Sequence, residues 1–524
     1  MSAGFGRLAA ATLAVTNTAD SGTGSLRWAL ASAKNGDAID ATSVTGTITL
    51  TNGELLVTNS LGITGPGATN LAISGNFASR IFDVTGGVTV AISGLTITHG
   101  QAAGYGGGGI INDKSNLVLS NCVVTANYDY LGAGIYSSAY RFGTATVMVV
   151  DSIISSNSTG NMGVGAGIYS DGEESHAFVT IIRSKFLGNS AGAAGGGAIK
   201  NAGAPSGNAV TVITNSVFIG NTTTGYGGAI ENYGSTGDAE LTIVNSTLSG
   251  NSVTGGEGGG AIWNDASEIG TGIVMVINTT LSANSTTYRG GAILNGGITS
   301  SPTNAILTLL NTTFSGNSAP SGACVFSLGT TFIGNTILNG GGSGTNISTY
   351  SSQYGSYISL GYNLCSDGGS GLLTNVTDLV NVDPKLGPLQ DNGGGILTLA
   401  LLPGSPAIDK GKNLSGDTTD ARGFPRTCDD PSIPNASSGD GTDIGAYELY
   451  ALRIAAADKL GKDLRLRFTS LPNVQYEAQS RPDPTSGVWI PVSGTVTGTG
   501  GISEITVTNA FILPQQFYRI HQLP

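Results

Sequence analysis

Residues Gly227–Asp265 read GGAIENYGSTGDAELTIVNSTLSGNSVTGGEGGGAIWND, and the architecture follows from this pattern. The stretch opens with Gly-Gly-Ala-Ile, passes through Leu-Ser-Gly-Asn at residues 248–251, and returns to Gly-Gly-Ala-Ile 32 positions after its start. A motif that recurs at an interval of roughly 20–50 residues is typical of an array of similar structural units.

Three landmarks recur in the same order along the middle of the chain. The first is an Asn that closes an apolar-x-x-Asn motif every 30–33 residues: Asn127, Asn157, Asn189, Asn221, Asn251, Asn284 and Asn317. The second is a polar residue six positions earlier in each unit: Asn121, Asp151, Arg183, Asn215, Asn245, Asn278 and Asn311. The third is a Gly-Gly-Ala-Ile-like motif, which begins at Gly107–Ile110 and degrades to Gly-Ala-Cys-Val at 322–325. Three landmarks over seven units predict a solenoid.

The units consist of short strand-like runs between glycine-rich turns, with no helical periodicity. Two or three strands in about 30 residues form one turn of a parallel β-helix. We therefore expect an all-β chain folded as a right-handed parallel β-helix, in which equivalent residues stack about 4.8 Å apart. The recurring Asn side chains would form a ladder, each amide bonding to the next.

The two ends of the chain differ from the repeats. Ser25 is placed to cap a short amphipathic helix that ends before Gly36, and such a helix would cover the open edge of the first coil. The last 75 or so residues carry more charge and short alternating runs, which predict a small antiparallel β-sandwich. The expected organisation is an N-terminal strand and capping helix (1–45), β-helix repeats (46–360), an end segment (361–449) and a C-terminal module (450–524).

Composition limits the function classes. The 524 residues include 83 Gly and only 11% charged residues, and the net charge is −12. No basic patch is visible, so a nucleic-acid partner is not expected. No apolar run approaches 18 residues, so no membrane span is predicted. Residues 1–15 are a poor secretory signal, and we interpret them as the remnant of a longer leader or as a first strand.

The combination of Gly-Gly-Ala-Ile with Phe-x-x-Asn resembles the repeats of the polymorphic outer membrane proteins of chlamydiae. The resemblance covers residues 94–330 and is strongest at Phe186–Asn189, Phe218–Asn221 and Phe314–Asn317. It implies a surface-exposed β-helix. The chain departs from that family because it shows no C-terminal membrane barrel sequence.

Two further resemblances point to an exported bacterial protein. Ser25-Leu26-Arg27-x-Ala29 is similar to the CSLREA-type start of secreted β-helix proteins, with Gly24 and Trp28 replacing its Cys and Glu. Residues 361–448 resemble the choice-of-anchor Q segment of bacterial surface proteins. Together they imply an extracellular or cell-surface location.

The residue after each motif Ile is expected to point away from the core, because strand side chains alternate. These residues, which we call the outward column, are Ile111, Tyr136, Tyr169, Lys200, Glu231, Trp263, Leu294 and Phe326. We predict that Tyr136, Tyr169, Lys200, Glu231, Trp263 and Phe326 form a stripe that binds a glycan or a protein, with an exposed Lys200–Glu231 ion pair. The alternative is that a loop or the next domain covers this stripe.

No catalytic constellation is evident in the sequence. Arg183 and Lys185 suggest a lyase base, but the neighbouring units offer Asp151 and Asn215, and an ion pair between rungs is favoured.

No metal or cofactor is predicted, because no two His fall at metal spacing. Calcium is the exception left open, at Asp409, Asp417, Asp420, Asp440 and Asp443, although turn and capping roles are favoured because no calcium-loop spacing is present.

The four cysteines divide into two pairs by position. Cys122 and Cys324 lie in the repeats and are expected to be packed thiols, whereas Cys365 and Cys428 are candidates for a disulfide in an exported chain.

The leading functional hypothesis is a non-catalytic exported surface β-helix, adhesin-like or structural, that binds glycan or protein along an exposed face. Two alternatives stay open. One is a polysaccharide lyase or glycoside hydrolase built on a β-helix, and the other is a self-associating subunit of an extracellular filament or sheath.

Overall fold

The computed structural model describes residues 10–102, 106–297, 303–342, 344–350, 355–450, 452–471, 474–499, 502–512 and 515–523. The weak N-terminal signal therefore lies largely outside the described residues. The chain is nearly all β and forms a parallel β-solenoid of about 11 turns, followed by antiparallel sheets. The predicted fold class is confirmed.

Three long parallel sheets form the faces of the solenoid, and a fourth, shorter sheet lies along one side. Sheet A contains Thr12–Ala14, Ala38–Asp40, Leu61–Thr64, Thr89–Ser93, Asn116–Ser120, Thr144–Val150, His176–Ile182, Asn208–Thr214, Asp238–Val244, Thr271–Ile277, Ala305–Leu310, Thr330–Gly334 and Ser356–Gly361. Sheet B contains Gly46–Thr49, Leu71–Ser74, Thr96–Thr98, Val123–Thr125, Ile153–Ser155, Lys185–Leu187, Val217–Ile219, Thr247–Ser249, Thr280–Ser282, Thr313–Ser315, Ile337–Asn339, Leu364–Cys365 and Leu379–Val380. Sheet C contains Leu55–Val57, Phe82–Val84, Ile110–Asp113, Ile135–Ser138, Ile168–Asp171, Ile199–Ala202, Ile230–Tyr233, Ile262–Asp265, Ile293–Asn295, Val325–Ser327 and Ile347–Thr349. Sheet D contains Tyr128–Leu131, Ser158–Val164, Ser190–Ala191, Thr222–Thr223, Ser252–Val253 and Ser285–Thr286.

Successive turns stack in register, so like residues meet like residues. Ile199 pairs with Ile230 and Ile230 with Ile262 in sheet C, and all three are fully buried. In sheet B, the rings of Phe186 and Phe218 stack with centroids 4.6 Å apart. Each turn alone has too small an apolar interior to be stable, and stacking joins these interiors into one continuous core.

The N-terminal helix spans Leu26–Ser32 and forms as predicted. The Oγ of Ser25 accepts a hydrogen bond from the backbone N–H of Trp28 at 3.2 Å, which is an N-cap contact. Leu26, Ala29 and Leu30 are buried in the solenoid core. Apolar packing therefore fixes the helix on the first turns of the β-helix.

The segment after the repeats does not simply continue the solenoid axis. Strands Leu364–Cys365 and Leu379–Val380 extend sheet B, with a 3-10 turn at Gly369–Gly371 between them. Residues 384–449, which we call the return segment, then run back over earlier turns. They begin with the antiparallel hairpin Leu386–Asp391 and Leu397–Leu401.

Contacts between distant residues show where the return segment lies. The Oγ1 of Thr247 donates to the carbonyl of Leu397 at 2.6 Å, and the Nδ2 of Asn311 donates to the Oγ of Ser415 at 2.8 Å. Ile396, Ala421 and Ala446 pack against Val217 on the outside of sheet B. The return segment therefore covers this sheet over several turns.

A buried charge network holds the largely irregular second half of the return segment. Arg422 binds Asp420 through Nε at 2.8 Å and Nη2 at 2.7 Å, and Nη2 also donates to the carbonyl of Glu448. The Glu448 carboxylate accepts the backbone N–H groups of Cys428 and Asp443 at 2.7 and 3.0 Å. Since few strands satisfy the backbone here, the buried carboxylates supply the missing acceptors.

The C-terminal module consists of two antiparallel sheets, as predicted. One contains Ile454–Leu460, Asp463–Thr469 and Ile502–Val507, and the other contains Gln475–Arg481, Ile490–Pro491, Val496–Thr497 and Phe517–Gln522. Their inward residues form a separate small core, in which the rings of Phe468 and Tyr476 lie 5.2 Å apart edge to face.

Candidate functional site

The predicted Asn ladder is present and buried. Each ladder Asn from Asn127 to Asn284 donates its backbone N–H and its Nδ2 to the Oδ1 of the next Asn in the series, and the last acceptor is Asn317. The donor–acceptor distances are 2.9–3.2 Å. Each Nδ2 also donates to a backbone carbonyl of a neighbouring turn, as Asn221 does to Phe186 at 3.0 Å. The ladder satisfies the buried backbone at one corner of each of these seven turns, so its role is structural.

The sequence also contains a second ladder that we did not predict. In sheet C, Asn201, Asn232, Asn264 and Asn295 are fully buried, and each of the first three donates Nδ2 to the next Oδ1 at 2.8 Å. The signal was available, because four of the motifs read Gly-Gly-Ala-Ile-x-Asn. The prediction for these motifs concerned only the residue after each Ile, which belongs to the outward column.

The polar series six residues before the ladder Asn has a different role. Asn121, Asp151, Arg183 and Asn215 have φ values of 47–51°, in the left-handed region that Asn and Gly tolerate best. They occupy the tight turn between sheets A and B. Asp151 and Arg183 form the predicted ion pair between rungs, with Nε and Nη2 at 2.7 and 2.8 Å from the carboxylate oxygens.

The outward column is stacked in register as predicted, but it is not an exposed stripe. Tyr136, Lys200, Glu231, Trp263 and Phe326 have 9% or less of their surface exposed. Tyr169 is half-buried and stacks on Tyr136, with centroids 5.3 Å apart. The prediction of exposure is wrong, and the alternative of a covering loop is correct.

The covering layer is the glycine-rich chain that precedes each motif. The carbonyl of Ala194 accepts a hydrogen bond from the Nζ of Lys200 at 2.9 Å, and the ring of Tyr226 packs on Trp263 at 4.2 Å. Gly195, with φ +85°, lies so close to the Glu231 carboxylate that a Cβ there would overlap it. Glycine lets the chain pass directly over the outward column.

The Lys200–Glu231 ion pair is therefore buried rather than exposed. Lys200 Nζ lies 2.9 Å from Glu231 Oε1 and 4.5 Å from the centroid of the Tyr233 ring. Burial raises the pKa of Glu231 to about 7, with Lys200 opposing that rise, and burial likewise raises the pKa of Asp265 to about 6. Such a pair is sensitive to loss of either partner.

The outer face of sheet A is the exposed surface that sequence reasoning missed. Its outward side chains are mostly apolar or Thr, and Met148, Phe178, Met275 and Ile358 are 37–41% exposed. The middle column of this face runs over nine turns in register: Val118, Met148, Thr180, Val212, Thr242, Met275, Thr308, Phe332 and Ile358. We call this surface the sheet A face.

The size of the sheet A face follows from strand spacing. Eight steps of about 4.8 Å give a length of nearly 40 Å, and the alternating outward positions of each strand span roughly 15 Å. The resulting footprint of roughly 600 Å² includes Thr side chains and the carboxylates of Asp238 and Glu240, so its apolar part lies within the range of apolar patches found on monomeric proteins, which are often functional. The signal in the sequence is the alternation of buried and outward side chains along strands such as Thr144–Val150.

The acidic residues of the return segment act on the protein's own backbone. Asp409, Asp420 and Asp443 are buried, and Asp443 Oδ1 accepts the N–H of Asp409 at 2.8 Å. Asp417 accepts from the side chain of Asn278, and Asp440 from the N–H of Thr442. Within the described ranges, no group of three or more His, Cys, Asp or Glu side chains is placed to hold a metal ion.

The four cysteines are unpaired thiols, so the disulfide considered for Cys365 and Cys428 is not formed. Cys365 is buried and lies 3.0 Å from Asp367 Oδ1, while Cys428 is half-buried in the return segment. Burial raises the pKa of both thiols to about 12.

The architecture defines the chain as a parallel β-helix protein with internal Asn ladders. No protein-family model matches the sequence, and no curated protein is similar to it. In the part of the chain that the structure describes, no helix has the length and apolar character needed to cross a lipid bilayer.

Proposed function

We propose that this protein is a non-catalytic, exported bacterial surface β-helix that binds a protein or glycan partner through the sheet A face. The observation that carries the proposal is the largely apolar surface of sheet A, which remains partly exposed over turns in which the return segment covers sheet B and glycine-rich chain covers sheet C. A flat surface with exposed Met, Ile and Phe side chains is suited to broad contact with a partner.

Sequence resemblance supports the location assigned in this proposal. The Gly-Gly-Ala-Ile and Phe-x-x-Asn repeats, the Ser25-Leu26-Arg27 start and residues 361–448 resemble segments of exported bacterial proteins. An adhesin-like or structural role follows from such a location combined with a rigid, rod-shaped repeat domain.

The binding test uses paired charge substitutions. Met148→Asp with Met275→Asp places two carboxylates on the sheet A face, and Val488→Asp is the control because Val488 is 80% exposed and belongs to the C-terminal module rather than to the solenoid. Co-sedimentation with bacterial cells and with insoluble cellulose and chitin measures binding. We expect the double variant to lose at least tenfold in affinity while the control keeps it. Equal binding by both variants would refute the assignment of this face.

A second candidate is self-association through the same face. The middle column reads Met148, Thr180, Val212, Thr242 and Met275, which is symmetric about Val212. A second copy with its axis reversed would set each Met of this column opposite the other Met. About 600 Å² from each copy corresponds to a small interface. Sedimentation velocity over a concentration series tests this candidate, and a monomer throughout excludes it.

The enzyme alternative is tested by a separate activity assay. Incubation with a panel of polysaccharides, with and without calcium, followed by measurement of reducing ends, detects hydrolysis or lysis. Turnover would contradict the non-catalytic assignment.

A further inference from the structure

A cleft opens between the turns of sheet B and the return segment. It has a volume of about 290 Å³ and is lined by Arg183, Ser184, Lys185, Asn215, Val217, Gly394 and Gly395. One wall is formed by two neighbouring turns of the solenoid. The opposite wall is the glycine turn that precedes strand Leu397–Leu401, held in place by Ile396 packing on Val217.

The cleft concentrates positive charge in a chain whose net charge is −12. Lys185 begins its strand with an exposed side chain, and no salt bridge in the described part of the molecule involves it. Arg183 directs Nε and Nη2 at Asp151, and among the described residues its Nη1 has no hydrogen-bond acceptor. An ammonium and part of a guanidinium are therefore available to an anion.

The remaining lining residues restrict the kind of anion. Val217 gives the cleft a small apolar surface, and the exposed Asn215 adds an amide group at its rim. The Ser184 side chain is buried, and its hydroxyl donates to the carbonyl of Ile182 at 2.9 Å. A sugar ring presents apolar C–H groups on one face and hydroxyls at its edge, which fits this combination. The volume lies at the lower end of ligand pockets and suits one sugar residue, and the open side leaves room for a polymer to continue.

We propose that this cleft binds a carboxylate-bearing sugar residue of an acidic polysaccharide. Lys185 and the free edge of Arg183 contact the carboxylate, Asn215 bonds to a ring hydroxyl, and Val217 contacts the ring. Guanidinium and ammonium groups form their strongest hydrogen bonds with such an anion. This inference is independent of the sheet A face, which lies on another side of the solenoid.

The turn geometry offers variants that leave the backbone undisturbed. Asp151 and Arg183 have φ values of 48° and 47°, and the equivalent residues of most other turns are Asn. Arg183→Asn therefore removes a cation in a conformation that Asn tolerates. Asp151→Asn removes the competing carboxylate and releases the guanidinium. Lys185→Met keeps the aliphatic side chain, and Lys462→Met is a charge-matched control in an exposed hairpin turn of the C-terminal module.

The experiment is calorimetric titration at low ionic strength with an oligogalacturonate and with a neutral oligosaccharide of equal length. We expect binding of the acidic oligomer only. Lys185→Met and Arg183→Asn should each weaken it at least fivefold, Asp151→Asn should strengthen it at least twofold, and Lys462→Met should leave it unchanged. The opposite sign for Asp151→Asn distinguishes a specific contact from general loss of folding.

Several outcomes would overturn the proposal. These are equal binding of the neutral oligomer, unchanged affinity in Lys185→Met, weaker binding in Asp151→Asn, or inorganic phosphate competing as well as the sugar at equal concentration. The Met148→Asp, Met275→Asp variant should bind the acidic oligomer normally, so failure of the sheet A face leaves the cleft intact. Cleavage of the oligomer would refute the non-catalytic function while retaining the cleft as the sugar site.

Discussion

Replacement of Asn251 by Ala tests whether the buried ladder stabilises the solenoid. The Oδ1 of Asn251 accepts the backbone N–H and the Nδ2 of Asn221, both at 2.9 Å. Its Nδ2 donates to the carbonyl of Phe218 at 3.0 Å and to the Oδ1 of Asn284 at 2.9 Å. Asn251 is fully buried, so water cannot replace these four bonds.

The magnitude follows from the groups left without these partners. Ala removes all four bonds and deprives the buried N–H of Asn221 of its acceptor, which costs about 1–3 kcal/mol. The Phe218 carbonyl loses a donor of similar value, and the two neighbouring amides each lose one bond. We therefore expect the free energy of unfolding to fall by about 3–5 kcal/mol, at the high end for a single substitution.

Urea unfolding followed by circular dichroism measures this difference. The matched control is Asn245→Gly, six residues earlier in the same unit, because Asn245 has φ 50° and glycine adopts that conformation without strain. We expect the control to stay within about 1 kcal/mol of the wild type. If Asn251→Ala were no less stable than the control, the ladder would not stabilise this turn.

Four further predictions concern buried charges and thiols. Because the pKa of Glu231 is raised from its ordinary value to about 7, its protonated form favours folding. The contribution of Glu231 to the free energy of unfolding is complete below about pH 4.5 and falls by up to about 3 kcal/mol as the pH rises through 7. Urea titrations at pH 5 and 7 should show this decrease. Lys200→Met should destabilise by about 3–5 kcal/mol at pH 7, whereas Lys200→Met with Glu231→Leu should recover most of that loss and reduce the pH dependence to the part contributed by other buried carboxyls such as Asp265. A strictly additive cycle would contradict this. Arg422→Met leaves Asp420 buried without its cation, so limited proteolysis should cut the return segment at least tenfold faster, and an unchanged cutting rate would argue against the charge network. Because the Cys428 thiol has its pKa raised to about 12, thiol titration without reductant should detect no fast-reacting cysteine in the native protein and four after unfolding.

The architecture was predictable because one interaction repeats. Stacking in register requires that inward positions stay apolar or amide-bearing in every turn. The same residue types therefore recur in the sequence at the spacing of one turn. The Phe186 and Phe218 pair and the Asn127–Asn317 series were recognised for that reason. The helix at Leu26–Ser32 was predictable from local capping chemistry alone.

The exposed surface was less predictable, because the alternation of side chains along a strand shows which way each side chain points but not whether it is exposed to solvent. An outward residue of a strand leaves the core, but whether another layer lies above it depends on chain that folds over it. Trp263 and Glu231 point outward as expected and are buried by the glycine-rich chain before each motif. The return segment covers sheet B by contacts such as Thr247 with Leu397, 150 residues apart, which no local pattern indicates.

The same reasoning locates function on the few surfaces that are left open. Inward columns are fixed by stacking, and the outer side of sheet C is occupied by Lys200, Glu231 and their neighbours beneath a covering layer. On sheet B, the return segment covers the later turns, and a cleft beside Lys185 lies between this segment and the turns. Sheet A keeps its outward side chains partly exposed, although burial of Met148 and Met275 against another apolar surface would be favourable. In the turns where the return segment covers sheet B and glycine-rich chain covers sheet C, the largely apolar sheet A face stays accessible, and this accessibility favours it as a binding surface.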